Sequence, residues 1–487
     1  MTLLVISPDY ASHLLPLATI ATAWQRRGER VVVATGAATA PIVRQFGFEH
    51  MPLHLGRGSN PGVIKAEEQP LDEDRSLRAF FDATRVGMVA TLHHQASERL
   101  TDLMWQPVAK AAETIAVVEA VRPDAIIVDH LAFSARLGLA AAGIRYADVV
   151  LGHPSALPVG DELYGFPAAW PAAFAPEEES LAELRELGER VSRSFTAEWN
   201  AALLSIDPRA TPSRSAFAES GELLLFNYPL ELADPGRAAF LPPHEHLGST
   251  PRDDSGDLEV EQWIAGDRRP FVYVSFGSFL SVRDDVLARV AGALRAAGMR
   301  AAIATGSGDP ARLGPIPADW LVREYLPQVT LLRHAIAAIT HGGNNSVTEA
   351  MTFGVPLLVL PFSTDQFAGA AALERIGVAE ALDPNTATEA ELAASIIRLT
   401  DAAFPGRPTL RTIAADLDRV CGPERAYAAI HHAPTKGRSC LTPPPPTRSA
   451  PPPAPTAVRS PTGPISAARC GRISPAAAQP STTASST

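Results

Sequence analysis

Short, wholly apolar runs alternate along this chain with longer stretches whose apolar residues return every three or four positions. LLVIS at 3–7, RVVVAT at 30–35, DAIIVDHL at 124–131 and LLLFN at 223–227 read as strands buried on both faces. Between them, Ser12 to Arg27, closed by Gly28, and FSARLGLAAAG, closed by Gly143, read as helices. Strands of this kind separated by helices predict a parallel sheet covered on both sides. The alternation begins again at PFVYVSFGS (270–278) and continues through AAIAT (301–305), IAAIT ahead of His341, and VPLLVLPF (355–362). A stretch rich in Pro, Gly, His and Asp from Pro235 to Asp257 separates the two series and reads as a linker. The chain is therefore expected to be α/β, with two doubly wound Rossmann-like domains facing a cleft. The expected boundaries are 1–240, a linker over 241–268, a second domain over 269–432 and a tail over 433–487. Open parallel sheets bind ligands beyond the carboxyl ends of their strands, so the cleft is the place to look for chemistry.

The densest chemistry lies between Tyr325 and Gln366. There the IAAIT strand ends at His341, and Gly342, Gly343, Asn344, Asn345 and Ser346 lead into the helical stretch VTEAMTF. Glycines at a strand-to-helix turn allow close backbone approach, and the free N–H groups of a helix start attract phosphate. Neither the lysine of a Walker loop nor a G-x-G-x-x-G accompanies this turn, which argues against ATPase and dinucleotide readings. Four blocks occur in order: Tyr325-Leu326-Pro327-Gln328, His341 to Glu349, Gly354-Val355-Pro356, and Asp365-Gln366. Together they resemble the nucleotide-sugar signature of family 1 glycosyltransferases, the UDP-sugar-dependent enzymes of GT-B fold, in the bacterial macrolide and natural-product branch.

The resemblance implies a role for each block. Tyr325 would stack the base, where plant relatives usually carry Trp, and backbone groups around Leu326 would read its edge. Glu349, helped by Gln328, would accept from the ribose hydroxyls. His341, Gly343, Asn345 and Ser346 would hold the diphosphate, joined by Ser278 from the turn Ser275-Phe276-Gly277-Ser278. Asp365 and Gln366 would bind hydroxyls of a hexose, probed first as glucose. In the first domain, Ser12-His13-Leu14-Leu15-Pro16 resembles the family's G-H-x-x-P element, with Ser12 in the Gly position. His13 is the expected general base, and Asp129, at the carboxyl end of its strand, the expected orienting carboxylate. His130 and Asp124 are alternatives to Asp129, although Asp124 stands at the wrong end of the strand. The reaction implied is inverting hexose transfer from a UDP-sugar to a hydroxyl of a small apolar acceptor. The rivals are a GT-B epimerase or hydrolase, and a non-catalytic nucleotide-sugar-binding protein.

Composition narrows the partners. The chain has 487 residues and a net charge of −11; six of its 42 Lys and Arg lie in the tail, leaving 36 against all 53 Asp and Glu elsewhere, a balance of −17. Such a surface repels nucleic acid. The tail contains PPPP at 443–446 and PPPAP at 451–455 with no Asp or Glu, and its composition predicts disorder. Cys421, Cys440 and Cys470 have no metal-ligand spacing, and a reduced, cytoplasmic setting is the expectation. No metal site and no cofactor are expected: Asp253-Asp254 and Asp284-Asp285 read as solvated and helix-start carboxylates, and His93-His94 as solvated. No apolar run is long enough to span a bilayer. Residues 154–200 carry five prolines among Tyr164, Phe166, Trp170 and Phe174, ahead of a helix over 180–203. They read as a self-packed connection, or as an apolar wall for an acceptor.

Overall fold

The structure is a computed structural model and describes residues 1–60, 71–102, 104–254, 256–280 and 282–432. The Pro-rich tail lies outside the described residues.

The first sheet contains β1 (Thr2–Ile6), β2 (Arg30–Thr35), β3 (Glu49–Pro52), β4 (Ala125–Asp129), β5 (Ala147–Val150), β6 (Leu223–Phe226) and β7 (His244–His246). They lie in the order β3-β2-β1-β4-β5-β6-β7, every pair parallel. The second contains β8 (Phe271–Ser275), β9 (Arg300–Ala304), β10 (Leu321–Arg323), β11 (Ala337–Thr340), β12 (Leu357–Val359) and β13 (Ala379–Ala381). Its order is β10-β9-β8-β11-β12-β13, again all parallel. Each sheet reverses its winding once, between β1 and β4 and between β8 and β11. At such a switch point successive helices leave to opposite faces, and a crevice opens at the strand ends. The apolar runs behave as their patterning demands: Leu3, Leu4, Val5 and Ile6 of β1 are all fully buried, because helices cover both faces.

Two boundaries differ from the sequence expectation. The segment expected as linker holds β7, which extends the first sheet by pairing with β6, and a helix, Leu258–Gly266. The last described helix, Gly422–His432, packs against the first domain rather than the second. Its Ala426 is buried in the first domain's core, and Tyr427 sets its ring 5.0 Å from that of Trp24. Both departures arise from long-range pairing, which local composition does not encode. Residues 1–433 form one compact unit.

Candidate functional site

His13 lies in the first turn of the helix Ala11–Gln25, directly after β1, and Asp129 is the last residue of β4. Because β1 and β4 are neighbours, the two side chains meet at the switch point: His13 Nδ1 stands 2.8 Å from Asp129 Oδ2. The second oxygen, Oδ1, accepts from the backbone N–H of Leu131 at 2.8 Å, so the carboxylate is held from both sides. Asp129 is 1 % exposed while the His13 side chain remains 27 % exposed, open to the cleft on its other edge. This bonding assigns the proton to Nδ1 and leaves Nε2 as a free acceptor. Burial alone would lower the His13 pKa, but the charge and hydrogen bond of Asp129, with a further contribution from Asp365, raise it above 6.5. Of the alternatives, Asp124 accepts from the Thr2 N–H at the far end of the sheet. His130 is buried 3.8 Å from Asp148, which pairs with Arg136 at 3.0 Å.

The second switch point repeats this geometry with different chemistry. Ser275 and Thr340 are register partners at the ends of β8 and β11, so Gly277 and His341 emerge side by side. A Cβ at Gly277 would stand 2.9 Å from the His341 ring and one at Gly343 would stand 2.4 Å from it, so the imidazole occupies a slot that only glycines leave open. Burial lowers the His341 pKa to about 4, leaving a neutral imidazole at physiological pH. Gly343 precedes the helix Asn344–Thr352 without a side-chain cap, and the start of that helix lines the cleft with Asn345 and Ser346. The signature side chains thus gather where the helix dipole is positive. Ser278 falls in the short helix Gly277–Leu280, but its side chain lies outside the described residues.

Tyr325 presents its ring to the cleft, 56 % exposed, beside buried Leu326. Gln328 lines the cleft; its Nε2 donates to Glu349 Oε2 at 2.5 Å, and its Oε1 accepts from Ser346 Oγ at 3.3 Å. Glu349 departs from the expected position. It is 4 % exposed and faces a small side cavity with Arg252 instead of the main cleft. Burial raises its pKa, opposed by Arg252, whose Nε is 3.8 Å from Oε1. Asp365 stands at the N-cap position of the helix Gln366–Arg375 without a side-chain cap bond; its Oδ2 instead accepts from the backbone N–H of His153 in the first domain at 2.7 Å. Thr364, just before it, holds φ 47°, a strained value for a β-branched residue at the edge of the cleft. Gln366 turns back on its own loop, Oε1 accepting from the N–H groups of Phe362 and Ser363 at 2.9 and 3.2 Å.

The two domains meet through the same residues. Asn345 Nδ2 donates to the carbonyl of Ser12 at 2.9 Å. In an uninterrupted helix that carbonyl would receive the N–H of residue 16, which is Pro16 and has none. The proline therefore frees an acceptor one residue before His13, and Asn345 of the helix Asn344–Thr352 in the other domain fills it. Asn344 Nδ2 bridges likewise to the carbonyls of Leu151 and Asn227, at 2.6 and 2.8 Å.

Sequence reasoning passed over Arg252 and His153, which belong to no motif block, and gave no role to Asn344, which lies inside one. It also placed Asp254 and His94 in solvent. Asp254 instead caps the helix Gln328–Leu332, accepting from the N–H groups of Val329 and Thr330 at 2.8 and 2.9 Å. His94 lines the cleft. The aromatic insertion is not packed on itself alone. Tyr164 lines the cleft and stacks on Phe217 at 4.1 Å, whereas Trp170 and Phe174 pack on Phe367 of the second domain. The open cleft has a volume of about 2080 Å³, larger than a drug-sized ligand fills. Among the described residues no group of three or more His, Cys, Asp or Glu is placed to hold a metal, and no helix is long and apolar enough to cross a membrane.

Two facing Rossmann-like domains, each built on an all-parallel sheet, make the GT-B architecture, and comparison with known proteins agrees. Residues 193–404 match the family model described as UDP-glucoronosyl and UDP-glucosyl transferase. The NDP-glycosyltransferase YjiC of Bacillus subtilis is 30 % identical over 169 residues, covering 34 % of this chain and 43 % of that protein. Oleandomycin glycosyltransferase of Streptomyces antibioticus is 33 % identical over 121 residues, covering 25 % and 28 %. The chain thus spans less than half the length of the curated relatives it matches. Among solved structures, the spinosyn forosaminyltransferase SpnP superposes with a TM-score of 0.62 at 18 % identity, over 88 % of this chain and 98 % of that one. The glycosyltransferase VinC, in complex with DTDP, does so at 0.61 and 17 %, with the same coverage. The chain has the GT-B fold, and over part of its length it is similar to UDP-glucoronosyl and UDP-glucosyl transferases and to glycosyltransferases of Bacillus and Streptomyces.

Proposed function

We propose that this protein is an inverting glycosyltransferase that moves a hexose from a UDP-sugar, with UDP-glucose the first donor to test, to a hydroxyl of a small apolar acceptor. The observation that carries the reading is the His13–Asp129 pair, bonded at 2.8 Å and opening into the same cleft as the His341 turn. In the proposed step, His13 Nε2 takes the proton of the acceptor hydroxyl. The oxygen bonds to the anomeric carbon from the face opposite the diphosphate. The bond from that carbon to the diphosphate oxygen breaks, and UDP leaves with the electron pair. An α-linked donor gives a β-glycoside in a single displacement. Asp129 fixes the tautomer and stabilises the imidazolium. The N-terminus of the helix Asn344–Thr352, with neutral His341, stabilises the departing diphosphate through fixed dipoles. The acceptor would rest against aromatic side chains of the same cleft, among them Tyr10, whose ring lies 6.0 Å from that of His13, and Tyr164 and Phe166.

The test is UDP release from UDP-glucose over a panel of hydroxylated aglycones, wild type beside His13→Ala. We expect acceptor-dependent release that falls by roughly 10²–10⁴ in the variant, the range for loss of a general base. Release that proceeds equally without acceptor would instead favour the hydrolase or epimerase reading. Relatives solved with thymidine diphosphate make dTDP-glucose the necessary parallel donor.

A further inference from the structure

Arg252 is a cation that the proposed mechanism leaves without a task. It lies between β7 and the helix Leu258–Gly266, where the chain passes from one domain to the other, and its side chain is 24 % exposed. It borders two spaces at once. In the main cleft it shares the wall with Tyr325, Gln328 and Ser346; in the side cavity it meets Asn345 and Glu349. Arg252 therefore stands between the ribose-side pair Gln328–Glu349 and the start of the phosphate-side helix.

Charge makes this position informative. The second-domain half of the cleft, taken from residue 252 onward, presents Asp253, Asp254, Asp257, Glu324 and Asp365. Among the described residues lining that half, Arg252 is the only Arg or Lys, and His341 is neutral. A dianionic diphosphate entering such a field needs a fixed positive charge, which Arg keeps at any physiological pH. The Glu349 carboxylate does not saturate the guanidinium: Nε sits 3.8 Å away, beyond hydrogen-bond range, and is buried without a hydrogen-bond partner. A guanidinium carries five N–H donors, so it can engage an anionic oxygen while remaining beside Glu349.

We infer that Arg252 is a donor-binding residue that recognises the diphosphate of the nucleotide and provides the fixed positive charge of the donor half. The inference rests on the donor site proposed above. The experiment compares dissociation constants for UDP, dTDP and uridine, by calorimetric titration of the full chain, in wild type, Arg252→Ala and Arg252→Lys, with thermal melts to establish that each variant is folded. Arg252→Ala should weaken UDP and dTDP by at least roughly tenfold and leave uridine within about twofold, because uridine has no phosphate to lose. Arg252→Lys, which keeps the charge without the planar fork, should recover part of the loss. Equal weakening of UDP and uridine would overturn the inference, since a residue that merely holds Glu349 acts on the ribose that both share; so would no change in either. A wild-type chain that binds neither diphosphate would sink the donor site itself, a result distinct from any failure of the variants.

Discussion

The His13–Asp129 pair determines how the proposed activity should depend on pH. The base must be neutral to accept a proton, and Asp129 holds its pKa above the ordinary 6.5, so the rate should rise through that raised value. Asp129→Asn removes the main raising charge and leaves desolvation, opposed only by the smaller contribution of Asp365, so the pKa falls. The acid limb of kcat/KM should then move to lower pH, while the plateau falls roughly 10²–10⁴ through loss of the tautomer and of imidazolium stabilisation. A full pH–rate profile checks both; an acid limb that stays in place would remove Asp129 from the role. Linkage gives the matching sign for stability. A raised His pKa stabilises the fold below the unfolded value near 6.5, and that contribution is lost as pH rises through the folded pKa. Arg252 shows the other side of the residue scale. It has no motif around it, and its significance comes from the carboxylates that surround it in space.

Elements explain why some of the site was legible and the rest was not. Each β-strand ends in a turn whose chemistry is local, so His13, Asp129, His341 and the Asn345–Ser346 helix start could be read from residues next to one another in the chain. Gly343 is such a case. Its backbone, at φ −60° and ψ 139°, would accept any residue, yet a Cβ would stand 2.4 Å from the His341 ring. Gly343→Ala should therefore fold normally and displace the imidazole, weakening UDP about tenfold by titration, a shift of about 1.4 kcal/mol. Unchanged affinity would show that the ring does not touch the nucleotide. What sequence could not give depends on which loops meet. Glu349 reads as a cleft residue from its motif, but Gln328 and Arg252 draw it into a side cavity. Composition marks the stretch from Pro235 to Asp257 as linker because Pro, Gly, His and Asp are frequent in it, and only the pairing of β7 with β6 makes part of it sheet. The Ser12 carbonyl is a half-legible case. Pro16 announces a free acceptor, but not that Asn345 would fill it.

At the scale of the molecule, residues expected to bind donor also hold the domains together. Asn345 donates to Ser12, and Asp365 accepts from His153, so the proposed sugar site and the base loop are positioned against one another by direct bonds. An apolar contact backs these polar ones. Phe367, fully buried in the second residue of the helix Gln366–Arg375, sets its ring 5.3 Å from both Trp170 and Phe174 of the first domain, with Leu92 and Leu184 in the same cluster. Removing a ring from such a site costs about 3–5 kcal/mol, the transfer of the ring plus the cavity it leaves. Phe367→Ala should therefore lower the melting temperature measured by calorimetry. Because the helix begins one residue after Asp365, the KM for donor should rise as well. The His13–Asp129 bond lies wholly within the first domain, so the acid limb of the pH–rate profile should move at most slightly, toward lower pH, through loss of the smaller Asp365 contribution. A variant that melts as wild type would mean that the aromatic cluster contributes little to holding the domains. An acid limb displaced to higher pH would mean that the cleft transmits strain across the interface to the base.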